Sequence, residues 1–237
     1  MNNWSETNYG MTAATATVDR RVEFIRRTYA HLTAAIGVFV LLSYLFLEGG
    51  LGERFAQIVM GGGQYAWLLV LGGFMIAGYF ATWMAQSSRS IGTQYLGLFV
   101  YTLAWAILFS PVIFIATTLP QYAGVLSQAA ILTLATFGGL TFYVFVTKKD
   151  FSFLGPILAI VGIGALALIV CGVLFGFHLG LWFSVAMIVF AAGAVLYSTS
   201  KVLHQFGTDQ YVAAALELFA AIAMMFWYVL RLLMARR

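Results

Sequence analysis

The sequence predicts an all-α polytopic membrane protein with seven transmembrane helices, and three observations carry that prediction. Hydrophobic residues make up 62% of the chain and charged residues only 8%, whereas a water-soluble domain carries about 25% charge. Several apolar runs exceed the roughly 20 residues that cross a bilayer as a helix. None of these runs alternates apolar and polar positions as barrel strands do. The mean hydropathy of +0.95 follows from the same runs.

Residues 1–17 are small and polar, lack periodicity, and are expected to be disordered. They lack the basic-then-apolar order of a cleaved signal peptide, so the first membrane helix should direct insertion. From Val18 the stretch VDRRVEFIRRTY places Glu23 and Arg27 at i,i+4, which suits a short helix running into the membrane. Residues 1–27 are thus an N-terminal cytoplasmic tail and 28–237 a membrane domain, with spans at about 28–47, 65–86, 93–117, 122–146, 153–175, 180–200 and 211–234.

Glu48-Gly49-Gly50 closes the first span, and a Gly-rich loop holding Arg54 and Gly61-Gly62-Gly63 leads to the second. A short SSRSI turn with Arg89 precedes the third, which Pro111 is expected to kink. The uncharged TTLPQY turn opens the fourth, and Lys148, Lys149 and Asp150 stop it. Gly172, Gly176 and Gly180, four apart, read as a small-residue face for packing within the bundle, with dimerisation as the alternative. The loop KVLHQFGTDQ, holding Lys201, His204 and Asp209, joins the sixth span to the seventh. Trp67, Trp83, Trp182 and Trp227 read as interfacial belt residues.

Basic residues fix the expected orientation. Arg20, Arg21, Arg26, Arg27, Arg89, Lys148, Lys149 and Lys201 fall on one side and mark it as cytoplasmic, with the C-terminus outside. Arg236 and Arg237 oppose that reading, and a re-entrant last helix would return them inside. The formal net charge of +4 is therefore topological and implies no nucleic-acid partner. Lone Cys171 in an apolar run excludes an internal disulfide and a cysteine metal cluster.

Catalysis has no support. No apolar run holds a lysine for a Schiff base, no GxSG elbow occurs, and no HExxH or P-loop is present. Asp19, Asp150 and Asp209 lie at span edges, and His31, His178 and His204 lie in separate segments. Neither a cofactor nor a resident metal is expected.

The last span, YVAAALELFAAIAMMFWYVLRLLM, holds Glu217, the one carboxylate well inside an apolar segment. Charges in hydrocarbon face a bundle interior or a water-filled cavity. At 100° per residue Ala213, Ala214, Ala220, Ala221, Met224, Tyr228 and Arg231 share its side, and small residues there let neighbouring helices approach closely. This helix should therefore be enclosed by the others. Arg231 lies roughly 21 Å further along, so the partner of Glu217 must come from another helix.

Three stretches in order, TKKDFSFLG after the fourth span, LYSTSKVLH at the end of the sixth and YVAAALELFAAIAMMFWYVLRLL in the seventh, resemble the Bax inhibitor-1 (transmembrane BAX inhibitor motif) family in a bacterial branch. The resemblance covers the chain from Arg26 onward. It implies six helices wrapped around a central seventh, and two alternative roles. One is a pH-sensitive calcium or cation leak gated by paired aspartates on the last two helices. The other is a regulator that binds a membrane-anchored AAA protease of the bacterial inner membrane, or its substrates.

Both acids of a leak-type pair are missing here. Ser198 stands where the sixth-helix acid would be and Ala221 where the seventh-helix aspartate would be. Glu217 lies one turn before Ala221, so it could replace one acid at a shifted depth, with the Ser198 hydroxyl as donor. His204 and Asp209 lie under that helix as candidate pH-sensing residues, His204 titrating near neutrality when unperturbed. One glutamate and one serine fall short of the six to eight oxygens calcium prefers, so calcium would bind only transiently. The missing pair favours the regulator.

Overall fold

A polar backbone in hydrocarbon must close its hydrogen bonds within its own segment, which selects helices. The computed structural model describes residues 12–87, 90–177 and 179–236, and these form an all-helical bundle. Its helices are α1 (Val18–Glu48), α2 (Leu51–Gly61), α3 (Gly63–Ala85), α4 (Ile91–Thr118), α5 (Val125–Thr147), α6 (Leu154–Phe175), α7 (Gly180–His204) and α8 (Tyr211–Ala235). All but α2 are long and apolar enough to cross a membrane. The seven expected spans are present.

The segment from Val18 does not stop and restart at the membrane but forms one 31-residue helix, with Arg27 paired to Glu23 on its first turns. In α4, Pro111 sits mid-helix and cannot donate to the carbonyl of Ile107. The Ser110 hydroxyl donates to that carbonyl instead, at 2.8 Å, and the helix runs on to Thr118. Close approach between α3 and α4 depends on Gly97, where a Cβ would come within 2.5 Å of the Ala81 carbonyl and 2.6 Å of the Ala85 amide.

The last helix is the most buried of the spans, at 56% of its most apolar window. Both of its faces are covered: Ala213, Ala214 and Ala221 on one side, Ala215, Phe219 and Ile222 on the other. It packs against α1, α3, α4, α5 and α7, while α6 packs chiefly on α7 and α3. An aromatic cluster ties it to its neighbours, with Phe109 stacked on Phe226 at 5.2 Å and edge-on to Trp227 at 5.1 Å.

Five expectations change. The Gly-rich loop after the first span is mostly helix α2, an amphipathic element of about three turns whose Gln57 amide donates to Glu53 one turn earlier. It packs through Gly52 on the Ser110 carbonyl and the Phe114 side chain. Residues 12–17 are ordered, because Ala13 donates its amide to the Phe206 carbonyl at 2.8 Å and Arg21 donates to the carbonyls of Ala13 and Ala14. Ala13 is fully buried there. The sixth span runs past residue 200 to His204, which puts Lys201 on a helix. Trp227 is a core residue stacked on Trp67, since its position on α8 faces inward.

The fifth change concerns the glycines four apart. A Cβ on Gly172 would meet the Phe177 carbonyl and Leu179 in the connection to α7, not another span. Gly176 ends α6 with φ of 71°, a left-handed conformation natural to glycine, and Gly180 follows at 64°. The pattern builds the α6–α7 turn. Arg89, His178 and Arg237, named above for charge or metal binding, lie outside the described residues.

Candidate functional site

Glu217 lies in the second turn of α8 and Lys201 in the last turn of α7, and the connection Gln205–Gln210 folds the two helices back beside each other. Lys201 Nζ donates to Glu217 Oε1 at 2.8 Å, and the two side chains are 22% and 29% exposed. Helical arithmetic put the partner of Glu217 on another helix, and it is. The donor is the Lys201 ammonium, not the Ser198 hydroxyl. Ser198 is itself buried one turn deeper on α7.

The ammonium is further held by aromatic faces. Its nitrogen lies 5.3 Å from the Tyr197 ring centre and 5.0 Å from that of Phe206, both within cation–π reach. Phe206 is the residue whose carbonyl accepts from Ala13. The ordered N-terminal segment is thus fastened to the same loop that covers Lys201.

On its other side Glu217 borders a cavity of about 150 Å³ between α3, α4 and α8. Thr82, Gln86 and Tyr101 supply the remaining polar groups of the lining, and Ala213 and Ala220 keep it open. It is polar and roomy enough for water. Ala220 and Ala221 therefore do different work: Ala220 borders the cavity, while Ala221 is buried in the packing around α8.

His204 belongs to a second polar group, one turn beyond Lys201. Its Nδ1 donates to the Ser200 carbonyl at 3.0 Å. The Ser200 hydroxyl donates to Asp150 at 3.2 Å and accepts from the Phe151 amide at 2.9 Å. Asp150 also accepts from the Ser152 hydroxyl and amide, and Gln205 donates to the Ser152 hydroxyl at 2.8 Å. The Ser152 hydroxyl, then its amide, then Ser200 and nearby His204 hold the Asp150 carboxyl below its ordinary range. This network pins the α5–α6 connection to the end of α7, so Asp150 is more than a charge that stops a span. Asp209 is exposed in the α7–α8 turn, and no bond joins it to the ion pair.

The third polar contact was not anticipated. His31 on α1 donates through Nδ1 to the Arg27 carbonyl at 2.6 Å, leaving Nε2 to accept from Tyr95 on α4 at 2.8 Å. Tyr211 packs against the His31 ring, and the Arg27 guanidinium lies over Tyr211. No group of three or more His, Cys, Asp or Glu side chains comes together among the described residues.

Two facts about the sequence would have found Lys201. Ser198 and Lys201 are three residues apart, so they share a helix face, and Glu217 likewise precedes Ala221 by one turn. Both charged residues lie one turn from Ser198 and Ala221, toward the same end of the bundle.

Seven helices long and apolar enough to cross a bilayer define an integral membrane protein of the helical-bundle class. The chain belongs to the Bax inhibitor family: the family model described as Inhibitor of apoptosis-promoting Bax1 matches residues 21–237. The chain is 29% identical to Protein lifeguard 4 of Mus musculus, over 96% of this chain and 91% of that protein. It is 25% identical to Bax inhibitor 1 of Schizosaccharomyces pombe, over 90% and 76% respectively. The Golgi anti-apoptotic protein of Vaccinia virus is 28% identical over 95% and 91%. No solved structure matches the chain.

Proposed function

We propose that this protein is a membrane regulator of the Bax inhibitor type, acting on membrane-protein quality control by binding a membrane-anchored AAA protease or its substrates. It acts from the bacterial inner membrane, with a cytoplasmic N-terminus and an outward C-terminus. The supporting observation is the Lys201–Glu217 pair, 2.8 Å apart. A cation pathway needs uncompensated oxygens, and calcium prefers six to eight of them. Here the one intramembrane carboxylate is already neutralised by a tethered ammonium, which repels a passing cation. The names of the relatives, inhibitor and anti-apoptotic protein, describe restraint of a process rather than transport.

The cation leak is the second reading, and the cavity beside Glu217 favours it. In that mechanism the ion pair would have to part before ions pass. Crosslinking in native membranes followed by affinity purification separates the two readings. The regulator should enrich a membrane protease or its substrates, and purified protein in liposomes should pass no more calcium than empty liposomes at acid or neutral pH. A pH-dependent flux abolished by Glu217→Gln, with no partner captured, overturns it.

A further inference from the structure

Thr12–Ala16 is a short non-helical segment held to the bundle at few points. Its Ala13 amide donates to the Phe206 carbonyl at 2.8 Å, Thr12 pairs with Gly207 across an isolated antiparallel bridge, and Ala13 is fully buried. From the first turn of α1, Arg21 donates through Nε to the Ala13 carbonyl and through Nη2 to the Ala14 carbonyl, each at 2.5 Å. Among the described residues its remaining backbone bonds close on itself, from Thr15 and Ala16 to the Thr12 carbonyl. A segment with so few outside contacts opens locally while the rest of the fold stays closed.

What this segment holds in place is Phe206. The Phe206 amide donates to the Lys201 carbonyl at 3.0 Å, its carbonyl accepts from Ala13, and its ring lies 5.0 Å from Lys201 Nζ. Phe206 is only 8% exposed, yet it lies in the connection between α7 and α8 and not on a helix. One of its two backbone bonds therefore comes from the N-terminal segment. Tyr197, the other ring facing the ammonium, stands on α7 and needs no such support. The side of Lys201 under Phe206 is thus the side that local opening uncovers.

We propose that Thr12–Ala16 is a strap whose release uncovers the Lys201–Glu217 pair. Closed, it fixes Phe206 over the ammonium; open, it lets the ring swing away and leaves the pair to water and to any group that competes for either charge. The strap governs exposure of the pair, whichever of the two readings above the pair serves.

The test uses full-length protein in lipid nanodiscs and two readouts. Lys148, Lys149 and Lys201 are the only lysines of the chain, and the first two are exposed. Acylation by a water-soluble succinimidyl acetate, mapped by mass spectrometry, therefore reports Lys201 against two references. Hydrogen exchange at the Ala13 amide reports the strap itself. Arg21→Ala removes both guanidinium bonds and should speed each readout about tenfold, with the α8 amides still protected. Arg26→Ala, which removes an exposed arginine from the same helix, should change neither. Phe206→Ala removes the ring but keeps the backbone bond, and should raise Lys201 acylation more than it speeds Ala13 exchange. The unaltered protein gives a measure that depends on no variant: on gentle warming, Lys201 acylation relative to Lys148 should rise in parallel with Ala13 exchange. In Arg21→Ala, unchanged Ala13 exchange, or faster exchange with unchanged Lys201 acylation, overturns the proposal. So does acylation that on warming follows the α8 amides instead of Ala13.

Discussion

Glu217 was legible as a residue: one carboxylate in an apolar helix, on a face of alanines, with no partner in reach on its own helix. Lys201 was not, because hydropathy ends a span where charge begins, and the helix goes on past that point to His204. Removing one member of a desolvated pair costs about 3–5 kcal/mol, and the partial exposure of both side chains reduces that here. Glu217→Gln and Lys201→Met should each destabilise the protein by about 2 kcal/mol, while the double variant loses less than the sum. Unfolding in lipid nanodiscs measures the coupling, and strict additivity would show that the pair contributes nothing. Asp150 offers a second test. Its folded pKa is depressed below the unfolded value, foremost by the Ser152 hydroxyl. Its stabilisation is therefore present above about pH 4 and lost as pH falls through the lower folded value. Asp150→Asn should flatten the acid limb of the Tm profile, and an unchanged limb would remove the network from the account of acid stability.

At the scale of elements, long apolar runs announce themselves and short amphipathic ones do not. The eleven residues of α2 hold two glycines, Glu53 and Arg54 among apolar neighbours, which reads as loop until packing on α4 gives the apolar side a surface to cover. The glycines at 172 and 176 show the converse: a spacing that suits helix packing serves a turn, since position along the helix decides what a small residue meets. Gly97 is where a small residue sets the distance between two spans. Gly97→Ala drives a methyl into the backbone of α3, and overpacking of this kind costs about 1–3 kcal/mol. A loss of about 2 kcal/mol is expected in the same unfolding measurement, against little change for Gly138→Ala on α5, where an added Cβ meets nothing. Equal effects at the two positions would mean that α3 and α4 separate freely.

For the molecule as a whole, the count and order of spans follow from hydropathy, because the bilayer allows few other solutions. Which helices touch is another matter. It depends on faces and on a handful of buried contacts, such as Trp67 on Trp227, that composition at a span end does not reveal. The N-terminal clasp is the longest-range of these contacts, joining Thr12 to Gly207 and Ala13 to Phe206. Backbone amides do not bond through a bilayer, so the clasp acts as a parity check on how the chain is threaded. An odd number of crossings between residues 13 and 206 would leave its two halves on opposite faces of the membrane. Six apolar helices intervene, an even count. The clasp also cannot close until the sixth of them has been threaded, so Thr12 and Ala13, though made early, are among the last residues to find their place.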